Sequence, residues 1–144
     1  MNYVSTRGYK ENSITAAMAI KRGLAPDGGL YMPEKMPNFT AEFIKSLLPL
    51  SYAERAASIL SAFLTDYTVE ELLEDATLAY AKEKFGPAPA PVNSLAHMHV
   101  LELWHGPTCA FKDMALQLMP RLFSRALKIS RNVVRFGVFV LAHV

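Results

Sequence analysis

Cysteine is almost missing from this sequence of 144 residues: Cys109 is the only one. No intrachain disulfide can form, which suits a reducing compartment, and a cysteine-only metal site is excluded. Acidic side chains stop at Asp113, and every charged residue beyond it is basic: Arg121, Arg125, Lys128, Arg131 and Arg135. No apolar run approaches the roughly 20 residues needed to span a bilayer. The start, Met1 to Arg7, lacks the basic-then-apolar order of a secretory leader, so a soluble cytoplasmic protein with no membrane partner is expected. There is no internal repeat and no glycine loop of the phosphate-cradling kind.

What is there is ordinary for a globular chain, with 51% hydrophobic and 19% charged residues. The length allows one domain, or one small domain and part of another. A net charge of +2 makes no general case for a nucleic-acid or membrane surface. The five C-terminal basic residues also lack the interleaved aromatics that stack on bases, so no nucleic-acid partner is expected.

Local signals divide the chain. Tyr3 to Thr6 is short and β-prone. Ser13 offers an N-cap to a helix over Ile14 to Arg22, which stops at Gly23. Pro26-Asp27-Gly28-Gly29 reads as a tight turn, followed by an extended Leu30-Tyr31-Met32. Arg7 and Asp27 are expected to hold turns rather than touch a substrate. Thr40 caps a helix through Leu48, and Ser51 with Glu54 forms a capping box for Tyr52 to Leu64. Thr68 with Glu71 repeats the device for a helix running to about Phe85, with Leu72, Leu73, Ala76, Ala79 and Tyr80 as its apolar stripe.

Pro87-Ala88-Pro89-Ala90-Pro91 excludes helix and central strand, which places a domain boundary there: residues 1–90, then 91–144. Beyond it, a strand over His99 to Leu103, a Gly106-Pro107 break and a helix from Asp113 to about Lys128, bent or restarted at Pro120, are the parts of an α/β unit. Val133 to Leu141 is apolar enough for a buried parallel strand.

The densest chemistry lies in Leu101-Glu102-Leu103-Trp104-His105-Gly106-Pro107-Thr108-Cys109-Ala110-Phe111-Lys112-Asp113. A strand that ends in a turn and delivers a lysine to a helix start puts a reactive amine on a rigid mount. Such an amine can form a Schiff base with pyridoxal phosphate (PLP) when burial lowers its pKa, although a lone lysine at a helix start is far more often a solvated charge. Phe111 is weighed between pocket lining and plain core, Asp113 between helix cap and electrostatic neighbour of the lysine. His105 and Thr108 orient a ligand or satisfy backbone groups of the turn. Cys109 reads as packing. His97 and His99 alternate on one strand face, but no third ligand follows, so no metal site is expected.

The run His105-Gly106-Pro107-Thr108-x-Ala110-Phe111-Lys112-Asp113-x-Ala115-Leu116-Gln117 resembles the PLP-lysine motif of the threonine synthase family, fold-type-II PLP enzymes. A second block agrees in the right order: Tyr3-x-Ser5-Thr6-Arg7-Gly8, then Ala19-Ile20-x-x-Gly23-Leu24-Ala25-x-Asp27-Gly28-Gly29-Leu30-Tyr31-x-Pro33. The resemblance implies a small mixed N-terminal domain followed by the first strand-loop-helix-strand elements of a truncated α/β PLP domain. It implies PLP as cofactor, O-phospho-L-homoserine and water as substrates, and L-threonine and phosphate as products. Lys112 matches the Schiff-base lysine, Phe111 a cofactor neighbour, and His105, Thr108 and Asp113 supporting residues; nothing in it fixes an oligomeric state.

The family's later Ser-Gly-Asp-Thr-Gly loop and glycine-rich phosphate loop find no match here. From about Ser130 the likeness stops, as a shifted reading frame after Lys128 would make it stop. The expectation is therefore a family fragment that is inactive alone. The alternative is a non-catalytic binding or assembly module that keeps part of the fold.

Overall fold

The computed structural model describes residues 1–9 and 14–129. The strand expected over 133–141 lies outside them. The described residues hold two short two-stranded antiparallel sheets and seven helices, in the order β1 (Tyr3–Ser5), α1 (Ala16–Arg22), β2 (Tyr31–Pro33), α2 (Ala41–Leu47), α3 (Tyr52–Phe63), α4 (Val69–Ala79), α5 (Lys82–Phe85), β3 (Val92–Leu95), β4 (Met98–Leu101), α6 (Asp113–Leu116) and α7 (Met119–Ile129).

The first extended segments pair with each other: Tyr3 faces Pro33, Val4 faces Met32 and Ser5 faces Tyr31. The Ile14 carbonyl accepts from the Tyr3 amide (3.0 Å), so the chain at Ile14 is already committed to the sheet. That is why α1 starts two residues later than expected, with Thr15 as its N-cap accepting from the Met18 amide; Ser13 lies outside the described residues. Gly23 ends the helix at φ 75, a left-handed value that L side chains rarely take.

Caps at Thr40, Ser51 and Thr68 are as the sequence implies, the last two as reciprocal boxes with Glu54 and Glu71. The helix from Thr68 does not reach Phe85 unbroken. It ends at Ala79, and α5 restarts at Lys82 after an extended Ala81. The reason is helical phase: the buried stripe Leu72, Ala76, Ala79 would continue at Lys82 and Glu83, charged residues that belong in water. Breaking at Tyr80 turns those charges out and brings Phe85 into the core at 1% exposure.

One core joins residues from both sides of the proline segment. Ala16 and Ala17 of α1 and Leu72 and Ala79 of α4 meet Leu118, Leu122 and Ala126. Helix α3 packs along α4, and α7 lies against both α1 and α4. The helix expected from Asp113 to Lys128 is split in two, with Pro120 in the first turn of α7, where its missing N–H loses no bond.

Between α4 and α7 lies an ion network around Asp75, which is buried on the face of α4. Arg125 approaches it through Nε (2.5 Å) and Nη2 (3.3 Å), and Arg121 through Nε (3.2 Å). Arg125 also reaches Glu71 (3.2 Å) and Glu74 (2.6 Å). These bonds, the one to Asp75 first, hold the Arg125 guanidinium more firmly protonated than usual. The Tyr67 hydroxyl donates to the Leu122 carbonyl (3.0 Å), a second tie between the helical layer and α7.

The proline segment leads into a hairpin rather than a lone strand. Val92 faces Leu101 and Leu95 faces Met98, with the Glu102 amide closing the ladder on the Pro91 carbonyl (2.9 Å). The expected strand His99 to Leu103 is thus shifted to Met98–Leu101 and is antiparallel to its neighbour. Its partner β3 carries no apolar alternation, and all four of its residues are exposed. Among the described residues no helix is long and apolar enough to cross a membrane.

Candidate functional site

The stretch from Glu102 to Asp113 forms a loop tied at both ends. At its entrance, Glu102 accepts from the Asn93 side-chain amide (2.6 Å) and contacts His105 Nε2 (2.7 Å). These bonds, that with His105 first, hold the Glu102 carboxyl below the usual range. The Trp104 and His105 rings stack at 5.7 Å.

At its exit, Asp113 is completely buried as the first residue of α6. Its carboxylate does not cap that helix. It points back, accepting the Thr108 amide N–H (2.7 Å) and the Thr108 hydroxyl (2.9 Å to either oxygen). Gly106 is pressed against it: a Cβ there would stand 2.4 Å from the Asp113 Cβ. The Cys109 amide donates to the Gly106 carbonyl (3.0 Å), and Cys109 takes φ 56, uncommon for a residue with a side chain. Cys109 is exposed, not packed as expected.

Lys112 emerges from this knot. Its backbone is helical, its carbonyl accepts from the Ala115 and Leu116 amides (3.0 and 2.9 Å), and its side chain is exposed. The burial expected for this side chain is not there. Phe111 beside it is 68% exposed, so it is not core. Thr108 commits both its donors to Asp113, and His105 commits Nε2 to Glu102, which makes them residues of the loop's own framework. His97 sits in the β3–β4 turn and His99 contacts Ser94 Oγ through Nδ1 (2.9 Å), so the two do not share a strand face.

An apolar cavity of about 700 Å³ opens between α1, β2 and the α6–α7 junction, bounded by Ile20, Met32, Leu116, Met119 and Phe123; it does not border Lys112. In the N-terminal block, Asp27 accepts from the Ser5 hydroxyl (2.8 Å) and from the amides of Gly29 (2.9 Å) and Tyr9 (3.0 Å), and Arg7 donates to the Asp27 carbonyl (3.2 Å). Against desolvation, the Gly29 amide, the Ser5 hydroxyl and the Tyr9 amide together hold the Asp27 carboxyl below its ordinary range. Both residues therefore build turns, as expected.

Two residues tied to this site were not among the candidates named from the sequence. Tyr80 donates its hydroxyl to the Met114 carbonyl (2.9 Å), and Glu102 partners His105. The Glu102 to His105 spacing was the one local hint.

A helical layer thus presents a loop that carries Lys112, and the comparisons say which family shares this arrangement of sequence and fold. A profile of the threonine synthase N terminus matches residues 2–80. Threonine synthase of Pseudomonas aeruginosa is 41% identical over 143 residues, spanning 95% of this chain and 29% of that protein. The structure of PLP-bound threonine synthase from Brucella melitensis superposes with a TM-score of 0.81 at 40% identity, over 89% of this chain and 28% of that one. That of Escherichia coli threonine synthase gives 0.78 at 33% identity, over 88% and 28%. The chain belongs to the threonine synthase family, and it spans less than a third of the length of these relatives.

Proposed function

We propose that this chain supplies the cofactor-holding lysine of a cytoplasmic threonine synthase, a fold-type-II PLP enzyme that converts O-phospho-L-homoserine and water to L-threonine and phosphate. The observation that supports it most is the mounting of Lys112: an exposed amine on a loop whose buried polar groups are already paired. Residues 1–90 form the N-terminal domain in this reading, and residues 91–144 begin the catalytic one.

A primary amine fixed at a helix start, next to an exposed aromatic ring, fits PLP by the chemistry of its donor. When bound, PLP supplies an electron sink for carbanionic charge at the substrate α and β carbons. Lys112 Nζ would hold the cofactor and would take and return protons at the substrate α and β carbons. Phe111 offers a face for a planar ring. Asp113 and Thr108 keep the loop from moving as the amine changes partners. Glu102 fixes the His105 ring beside the loop entrance.

Lys112 stands in the open, and no loop among the described residues excludes water from it, so the chain alone is expected to give no threonine. Threonine from O-phospho-L-homoserine above a Lys112→Ala control contradicts that. The site itself is tested by mixing the chain with PLP, reducing with borohydride and mapping the labelled peptide. Label concentrated at Lys112 supports the reading, and label spread evenly over Lys35, Lys45 and Lys112 overturns it.

A further inference from the structure

We propose that Tyr80, at the break after α4, is a positioning residue for Lys112 and acts on it through the Met114 carbonyl. This rests on the reading of Lys112 as the cofactor-holding amine.

Helix α6 has four residues and cannot hold its own orientation, because a single turn fixes several dihedrals for one or two bonds. Its direction is set from outside. Asp113 ties its first residue back to Thr108, and Tyr80 ties its second, since the phenol donates to the Met114 carbonyl at 2.9 Å. The break between α6 and α7 creates the need: the Leu118 amide turns to Ala115 (3.2 Å), and Tyr80 provides a donor to Met114 from another element.

Tyr80 is suited to the task. Its ring is wedged edge-on against Tyr52 at 5.0 Å and lies 5.7 Å from Phe85, so the hydroxyl has a fixed origin. Burial, with Tyr52 nearby, pushes its pKa up to about 12, and the phenol stays a donor at neutral pH. The same break in α4 that places Phe85 in the core leaves Tyr80 at the end of the helix facing α6. Tyr67 is the internal comparison. It makes the same kind of bond, to Leu122, but ten residues along the chain from Lys112.

The experiment uses the full chain with Tyr80→Phe and Tyr67→Phe, each removing one hydroxyl and keeping the ring. Lysines are reductively methylated with carbon-13, and the Lys112 resonance is recorded without PLP at one fixed pH. In Tyr80→Phe its chemical shift is expected to move away from the wild-type position; in Tyr67→Phe it stays at the wild-type value. An unchanged Lys112 signal in Tyr80→Phe, or the same movement in both variants, overturns the positioning role.

A second arm measures PLP trapped at Lys112 by borohydride, normalised to Lys128 in the same molecule. It is expected to fall about three- to tenfold in Tyr80→Phe alone, the range that loss of one neutral hydrogen bond allows. If wild-type protein captures no excess at Lys112, the cofactor reading fails, and the resonance shift alone decides the role of Tyr80.

Discussion

Asp75→Ala is expected to cost about 3 kcal/mol of stability, because it removes one side of a buried ion network and leaves the other. Asp75 accepts from two guanidinium groups, and its own side chain is only 4% exposed. Deleting it strands Arg121 and leaves Arg125, at 17% side-chain exposure, with Glu71 and Glu74. Those two remaining partners put the loss at the lower end of what breaking a buried pair costs. Salt should change it little, since screening acts weakly on groups out of water. Urea unfolding of the wild type, Asp75→Ala and Asp75→Asn measures it, with Asn expected in between. A loss under about 1 kcal/mol in Asp75→Ala would show that the network behaves as an exposed surface pair. The same network ties α7 to α4, so the segment that carries Lys112 loosens with it.

Gly106→Ala is the second large effect, and it arises from contact rather than from backbone dihedrals. The added methyl would lie 2.4 Å from the Asp113 Cβ and 2.6 Å from its Oδ2, where no rotamer of a flexible tip relieves it. Either the turn moves off α6 or Asp113 leaves its buried place, and both break the bonds to Thr108. A cost of about 1–3 kcal/mol follows for such overpacking. Preferential PLP capture at Lys112 should be lost beyond what stability explains. Thr108→Val separates the causes: it deletes the hydroxyl bonds to Asp113 without the clash, and it should reduce capture while leaving Gly106 packed. Wild-type stability and capture in Gly106→Ala would mean that the loop is not the rigid mount described.

How much of this was readable from local sequence depends on how far each interaction reaches along the chain. The caps at Thr40, Ser51 and Thr68 were readable because the bonding partners lie three residues away. The break at Tyr80 was not, since a helical period says nothing about whether Phe85 finds a core to enter. Val92 to Leu95 was missed as a strand because it is exposed on both faces and carries no alternation. At the site, Lys112 stood out through its motif, whereas the orientation of Asp113 did not. A residue at a helix start reads as a cap, and only the fold shows the carboxylate facing backwards onto Thr108. Tyr80 and Met114 are 34 residues apart, and Asp75 and Arg125 are 50 apart, beyond any local pattern.

The central claim is that Lys112 on this scaffold is the working lysine of a threonine synthase. The most direct measurement joins residues 1–128 at the end of α7 to the matching remainder of the Pseudomonas aeruginosa relative and assays threonine and phosphate released from O-phospho-L-homoserine. The account predicts turnover by this chimera and none above background in its Lys112→Ala form. Equal turnover by the two, or a folded chimera with no turnover, would contradict it.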